Sequence, residues 1–383
     1  MSLSVKKNIK KCLVIIFTAL FFSFHSYSQQ KEKKIFKDTL DGAFDISKYL
    51  LEIHGFLPVV SVITEPALGF GGVLAGIYFI PKEKTADQKF RMPDIAGIGG
   101  GYTENGTWFL GGGYAGFWKD DNIRYRGILG YGDINLKYYG NDSDFLASNP
   151  VNFSMKSLFF LQQALFRIKD SRFMLGGKYY FGKTRVTAFE TSQIPGLNPR
   201  DFDLISSGLG VIGEYERLNN ILSPSKGFRI QLDYSQSLEF LGSDRNFSKV
   251  SFFTLGYIPI TDTWNSGFRF ESLIASENTP FYALPYINLR GVPSLRYQGQ
   301  LTVLAETEQF VNVYKRWSIV GFAGLGSTVS SLNEMNFSPI VWNAGTGVRY
   351  LIARMLGLQM GFDVARGPED WAFYITLGSS WLK

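Results

Sequence analysis

The chain has 383 residues, 45% of them hydrophobic, 16% aromatic and 19% charged, with a formal net charge of +6. Setting aside the lysines at positions 6, 7, 10 and 11 leaves 35 basic against 33 acidic residues, which excludes the basic footprint of a nucleic-acid binder. The single cysteine, Cys12, excludes a disulfide framework, and its place ahead of an apolar core rather than at a cleavage point excludes lipoprotein acylation.

In chain order, Lys6, Lys7, Lys10 and Lys11 form a basic head, Leu13 to Phe22 an apolar core, and Ser26-Tyr27-Ser28 a small-residue cleavage site before Gln29. Residues 1–28 therefore read as a signal peptide for export, since the core falls well short of the roughly 20 residues of a spanning helix. Residues 29–55 read as a leader on the periplasmic side. Within it, Asp45 is placed to cap a short amphipathic helix carrying Ile46, Tyr49, Leu50 and Ile53 on one face, with Gly55 at its end. His54 is the one histidine left after the signal. A histidine triad or multi-histidine metal site then has no raw material, so no enzyme activity, metal or cofactor is expected. The glycine runs at 69–72 and 97–101 lack the Gly-Lys-Ser/Thr ending of a phosphate loop and fall within strand pattern.

From Phe56 onward the apolar period is two. Candidate strands lie at 56–64, 69–80, 94–103, 107–118, 122–138, 151–167, 171–183, 203–217, 226–238, 247–258, 264–274, 300–311, 316–326, 341–351, 356–365 and 371–381, filling residues 56–383 with barrel. Most are long enough for the roughly 9 to 11 residues of a tilted membrane-spanning strand. After the signal, the longest charge-free stretch is Trp317 to Asn333, laced with glycine and serine, so no helix crosses a bilayer. The clearest strand alternates Phe228, Ile230, Leu232 and Tyr234 with Arg229, Gln231, Asp233 and Ser235. The expectation is an all-β transmembrane antiparallel barrel of about sixteen strands, greasy outside and wet and charged within, with Glu214, Glu216, Asp233 and Glu271 facing the lumen. With both ends on the inner side, most inner connections are short and several outer ones long, as in outer-membrane barrels. Residues 81–93 break that pattern as a long inner connection.

An ordered set of motifs lies in the last 160 or so residues. Leu289-Arg290-Gly291-Val292 sits in the longest outer loop. Ser223 to Arg229 opens a strand through Pro224 and Gly227; residues 299–308 follow the loop and end on Glu308; then come residues 320–326, Gly345-Thr346-Gly347-Val348-Arg349-Tyr350, and a closing strand from Phe373 to Trp381. Together they resemble the barrels of the BamA/TamA type, also called the bacterial surface antigen family. Asp41-Gly42-Ala43-Phe44-Asp45 and the stretch 64–69 are similar to short members of the group.

The resemblance implies that the loop folds back into the lumen and that Arg290 pairs with acids on neighbouring strands. Glu308 is the best-matched acid, and Glu306 shares its face. Where the family has an aspartate, this chain has Ala323, which removes one expected partner. The 29–55 leader leaves too little chain for one of the family's periplasmic POTRA domains. The resemblance further implies an outer-membrane protein of a Gram-negative bacterium that assists membrane biogenesis, by protein insertion or translocation or by lipid handling, through a lateral seam between its first and last strands. Pro58, which withholds a backbone donor, and the poor strand formers Gly378, Ser379 and Ser380 would soften that seam. Its partners would be outer-membrane lipid, client outer-membrane or secreted polypeptides, and a separate periplasmic protein. The alternative is a passive channel or structural barrel.

Overall fold

The computed structural model describes residues 35–53, 55–82, 92–140, 146, 149–188 and 202–381; the expected signal peptide and His54 lie outside them. Sixteen strands form one antiparallel sheet in sequence order. They are β1 (Phe56–Ile63), β2 (Gly71–Ile80), β3 (Asp94–Thr103), β4 (Trp108–Trp118), β5 (Ile123–Tyr138), β6 (Val151–Arg167), β7 (Phe173–Ala188), β8 (Asp203–Glu216), β9 (Gly227–Ser237), β10 (Phe247–Pro259), β11 (Trp264–Ala275), β12 (Leu301–Tyr314), β13 (Trp317–Val329), β14 (Ile340–Ala353), β15 (Leu358–Arg366) and β16 (Trp371–Leu377). No helix among the described residues is long and apolar enough to cross a membrane. The sheet instead curls into a nearly closed transmembrane barrel, in which neighbouring strands satisfy one another's backbone groups as hydrocarbon requires.

The register fixes which side chains share a face, because directly paired residues point the same way. On β9, Phe228, Ile230, Leu232 and Tyr234 point outward, between 38% and 53% exposed, while Arg229 and Ser235 are buried inside. Leu209 and Val211 on β8, Phe268 and Phe270 on β11 and Ile319 and Leu325 on β13 extend this greasy outer belt. An apolar wall around a filled interior is the arrangement that lipid favours.

Following the ladders from β9 shows that the inner wall is not uniform. Over β8 to β15 the inward row carries Glu214, Arg229, Asp233, Arg269, Glu271, Glu306, Glu308, Arg349 and Asp363. Over β1 to β6 it carries Val59 and Val73, Ile77 and Gly97, Gly111 and Gly130, Ile134 and Met155, with Arg124, Arg126 and Arg167 confined to the inner ends of β5 and β6. The expectation of a wet, charged interior thus holds for one half of the barrel, whereas in the other half charge is confined to the inner ends of β5 and β6. The glycine-rich stretches hid this division, because glycine marks neither face as polar or apolar until the register is known.

The chain ends depart from expectation in two places. The amphipathic helix is a single π-helical turn, Tyr49–Ile53, following Ser47 and Lys48. Asp45 does cap it, accepting a 2.7 Å bond from the Ser47 amide. Ile46 and Leu50 pack on Phe79, Ala353, Leu356 and Leu358, so the leader is a strap across the inner mouth. The second departure is the closing strand. β16 stops at Leu377, where Gly378 takes φ 79°, a left-handed conformation that breaks the pleat. Phe373 stays in the wall and faces outward, but Trp381 turns into the lumen and is buried.

Among the described residues no backbone ladder joins β16 to β1. The tie between them is Thr64, whose hydroxyl accepts from the Phe373 amide at 2.8 Å and donates to the Phe373 carbonyl. The inner end of this seam is spanned by the strap: the Ile46 amide donates to Ile352 at the end of β14, and the Phe79 amide to the Gly55 carbonyl just before β1.

Candidate functional site: a loop held inside the barrel

The connection 276–300 between β11 and β12 folds down into the polar half of the lumen. Its hydrophobic residues Ile287, Leu289 and Val292 bury against Leu304 and Val341 of the wall, which pulls the loop inward without charge. Within it Gly291 adopts φ 84°. A side chain there would come within 2.9 Å of the Gly367 amide, and one on Gly367 within 2.2 Å of the Gly291 carbonyl. The two glycines let loop and wall touch backbone to backbone, which aims the neighbouring Arg290 across the lumen.

Arg290 meets three carboxylates from two strands. Its Nη2 lies 3.1 Å from Glu306 Oε1 and 3.0 Å from Glu308 Oε2, and its Nη1 lies 2.9 Å from Asp363 Oδ2 on β15. The face of the guanidinium rests on Phe322, 3.4 Å from the ring centroid. Sequence reasoning proposed Glu308 first and Glu306 second; Glu306 is the more connected of the two. It also accepts from Asn343 Nδ2 at 3.2 Å and Trp381 Nε1 at 2.6 Å, and lies 3.4 Å from Arg269 Nη2. Arg269 in turn donates to the loop carbonyl of Asn288.

Asp363 was missed by sequence reasoning, and it supplies the third carboxylate; Ala323, expected to mark a missing partner, is exposed on the outward face of β13, so its position does not face Arg290. Arg349 grips it through both terminal guanidinium nitrogens, Nη1 and Nη2, at 2.5 and 2.9 Å. The β14 motif makes room for this arrangement. A Cβ on Gly347 would lie 2.0 Å from Asp363 Oδ1, and one on Gly345 2.2 Å from the Phe322 ring. Gly227, at φ 102°, abuts the Arg217 carbonyl and opens β9 at the end of the β8–β9 turn, apart from this cluster. Ser380, expected at the seam, lies by both arginines and accepts from Arg290 Nη1 at 3.3 Å and Arg349 Nη2 at 3.4 Å.

The loop also holds both sides of the seam. The Gly291 amide donates to Tyr374 on β16 at 2.9 Å, and the Ser294 amide and hydroxyl donate to Glu65 in the β1–β2 turn at 2.9 and 3.1 Å. Burial pushes the Glu65 carboxyl up, and the Ser294 donors offset part of that shift.

A second cluster locks the strap. Arg316, in the β12–β13 turn, donates to Asp41 at 2.7 Å and Asp45 at 2.6 Å and pairs with Asp38; Arg354 also pairs with Asp38. The bond from Arg354, with the Leu40 amide and the charge of Arg316, holds the Asp38 carboxyl well below the usual carboxylate range. The motif Asp41 to Asp45 is thus the strap's docking element. Among the described residues no group of three or more His, Cys, Asp or Glu is arranged to hold a metal ion.

A transmembrane barrel of sixteen strands, with an arginine-tipped loop locked in its lumen and an unladdered seam, has the fold of the BamA-type barrels. Solved structures with this fold include BamA from Haemophilus ducreyi lacking POTRA domains 1-3, 13% identical with a TM-score of 0.54 over 85% of this chain and 70% of that one. They also include CdiB from Acinetobacter baumannii, 11% identical, TM-score 0.56, over 84% of this chain and 59% of that one. CdiB from Escherichia coli is 12% identical, TM-score 0.57, over 84% of this chain and 62% of that one. The chain thus spans about three fifths of the CdiB chains. No protein-family profile and no curated protein sequence matches it.

Proposed function

We propose that this protein is exported to the outer membrane of a Gram-negative bacterium and assists membrane biogenesis by opening laterally between β1 and β16, with no catalytic chemistry of its own. The observation that carries the reading is the seam: among the described residues fifteen strand pairs are laddered, while the edge of β1 is joined to β16 by the tie from Thr64, just past its end. Backbone groups along an unladdered edge are costly in hydrocarbon, so an edge of this kind suits a surface that pairs transiently with something else. The strap and the locked loop bridge the same edge, which supports their acting as its restraints. A client strand, or a lipid, is the occupant such an opening accommodates. A separate periplasmic partner would dock at the inner mouth, beside the strap. The lumen-filling loop counts against the alternative of a wide passive channel.

The test is a reversible lock. Cysteines at Thr64 and Phe373, oxidised to a disulfide in a strain that depends on the protein, should abolish its cellular contribution, and reduction should restore it. Full function in the oxidised state would rule out lateral opening.

A further inference from the structure

We propose that the apolar half of the lumen is a binding site for the acyl chain of an anionic membrane lipid. The inward faces of β2 to β6 line a cavity of about 780 Å³ that is open to the lumen, within the size range of small-molecule sites. Val73, Ile77, Phe109, Ile128, Met155 and Phe159 line it. Ile128 and Phe159 point into this space, paired with the inward Leu161 and Gly130, yet remain 37% and 41% exposed. A space with so few polar partners holds water poorly, and apolar surface facing water costs roughly 25 cal/mol per Å². A hydrocarbon occupant removes both penalties.

The glycines of this wall carry the second part of the argument. A Cβ on Gly130 would meet nothing nearer than the Leu110 carbonyl at 3.9 Å, and on Gly97 nothing nearer than the Gly76 carbonyl at 3.5 Å. Neither has a positive φ. Neither packing nor backbone conformation demands glycine at these two positions, and what glycine does provide there is open volume.

Charge sets the orientation. Arg126, three residues from the inner end of β5, is the charged side chain among the lining residues. Among the described residues of this cluster four arginines, Arg124, Arg126, Arg167 and Arg229, stand beside three acids, Asp121, Glu214 and Glu216. A lipid of the inner leaflet that slid sideways past β1 would bring its phosphate to this level and its tail into the cavity. That route rests on the seam reading above; the site itself does not.

The experiment places the purified barrel in nanodiscs of phosphatidylethanolamine and phosphatidylglycerol, the latter carrying a diazirine near the end of its tail, and maps photo-adducts by mass spectrometry. Adducts are expected on the inward Ile128, Met155 and Phe159 as well as on the outward Leu129 and Leu158. The double variant Gly97→Leu/Gly130→Leu, which fills the cavity, should lose the inward adducts about tenfold and keep the outward ones, with heat-modifiable gel migration reporting that it folds. Ile128→Asn/Phe159→Asn should do the same without adding bulk. Arg126→Gln should lower inward labelling by phosphatidylglycerol more than by phosphatidylethanolamine carrying the same diazirine. Absence of inward adducts in the unaltered protein, or inward adducts that survive both double variants, overturns the site. Inward adducts undiminished when the Thr64–Phe373 disulfide is formed before reconstitution would uphold the site and overturn the lateral route.

Discussion

Glu306 and Gly130 both face the lumen from mid-strand, and they stand for two ways of filling a barrel. Around Glu306, ion pairs, an indole and a returning loop consume the space. Around Gly130 the wall is thin and apolar, and the space is left open. The strands on both sides share one periodicity and one greasy exterior. Lipid dictates the outward row; the inward row is free to specialise, so one half can be a rigid lock while the other is a receptacle.

The largest effect should come from the locked half. Glu306→Ala leaves Arg290 and Arg269 short of a carboxylate in a buried site and frees Trp381, and should cost about 3–5 kcal/mol in urea unfolding from detergent micelles. A loss below 1 kcal/mol would mean that the lock is ornamental. Arg290→Ala should also release the loop, raising both its protease sensitivity and the entry of large antibiotics in cells.

Glycine substitutions sharpen the contrast. Gly347→Ala drives a methyl into the Asp363 carboxylate and should cost about 1–3 kcal/mol, whereas Gly130→Ala meets open space and should change stability by less than about 1 kcal/mol. Equal effects at the two positions would erase the distinction between the halves.

The strap gives a smaller, pH-dependent effect. Because the Asp38 carboxyl is held low in the folded protein, its contribution is complete above the unfolded value of about 4 and is lost as pH falls through the folded value. Amide protection across residues 38–46, corrected for intrinsic exchange, should therefore be flat from pH 7 to 5 and decline only below about pH 4. Arg316→Ala should undock the strap at neutral pH; a strap still protected in that variant would show that its apolar contacts suffice.

Much of the wall was legible because strand period and turn chemistry are local. Strand limits differ from expectation by one or two residues at most ends and by more at β7, β12, β13 and β16. What stayed hidden was non-local. Arg290 could be placed through the ordered motifs around it, but Asp363 lies 73 residues away and reaches it only through the curvature and register of β15. The fate of Trp381 turned on Gly378, a single left-handed residue that an aromatic ending outweighed in the reading of the strand. Asp41 to Asp45 stood out as a motif, yet its partner Arg316 is one cation in a two-residue turn.

A spin-label accessibility scan along β5 and β9 in liposomes tests the central claim most directly. On β9, oxygen access should peak at positions 228, 230, 232 and 234, and access of a water-soluble nickel chelate at 229, 231, 233 and 235. On β5, positions 128, 130 and 132 should admit oxygen and exclude the chelate although they face inward. Chelate access at those three equal to that at 231 and 233 would contradict a divided lumen.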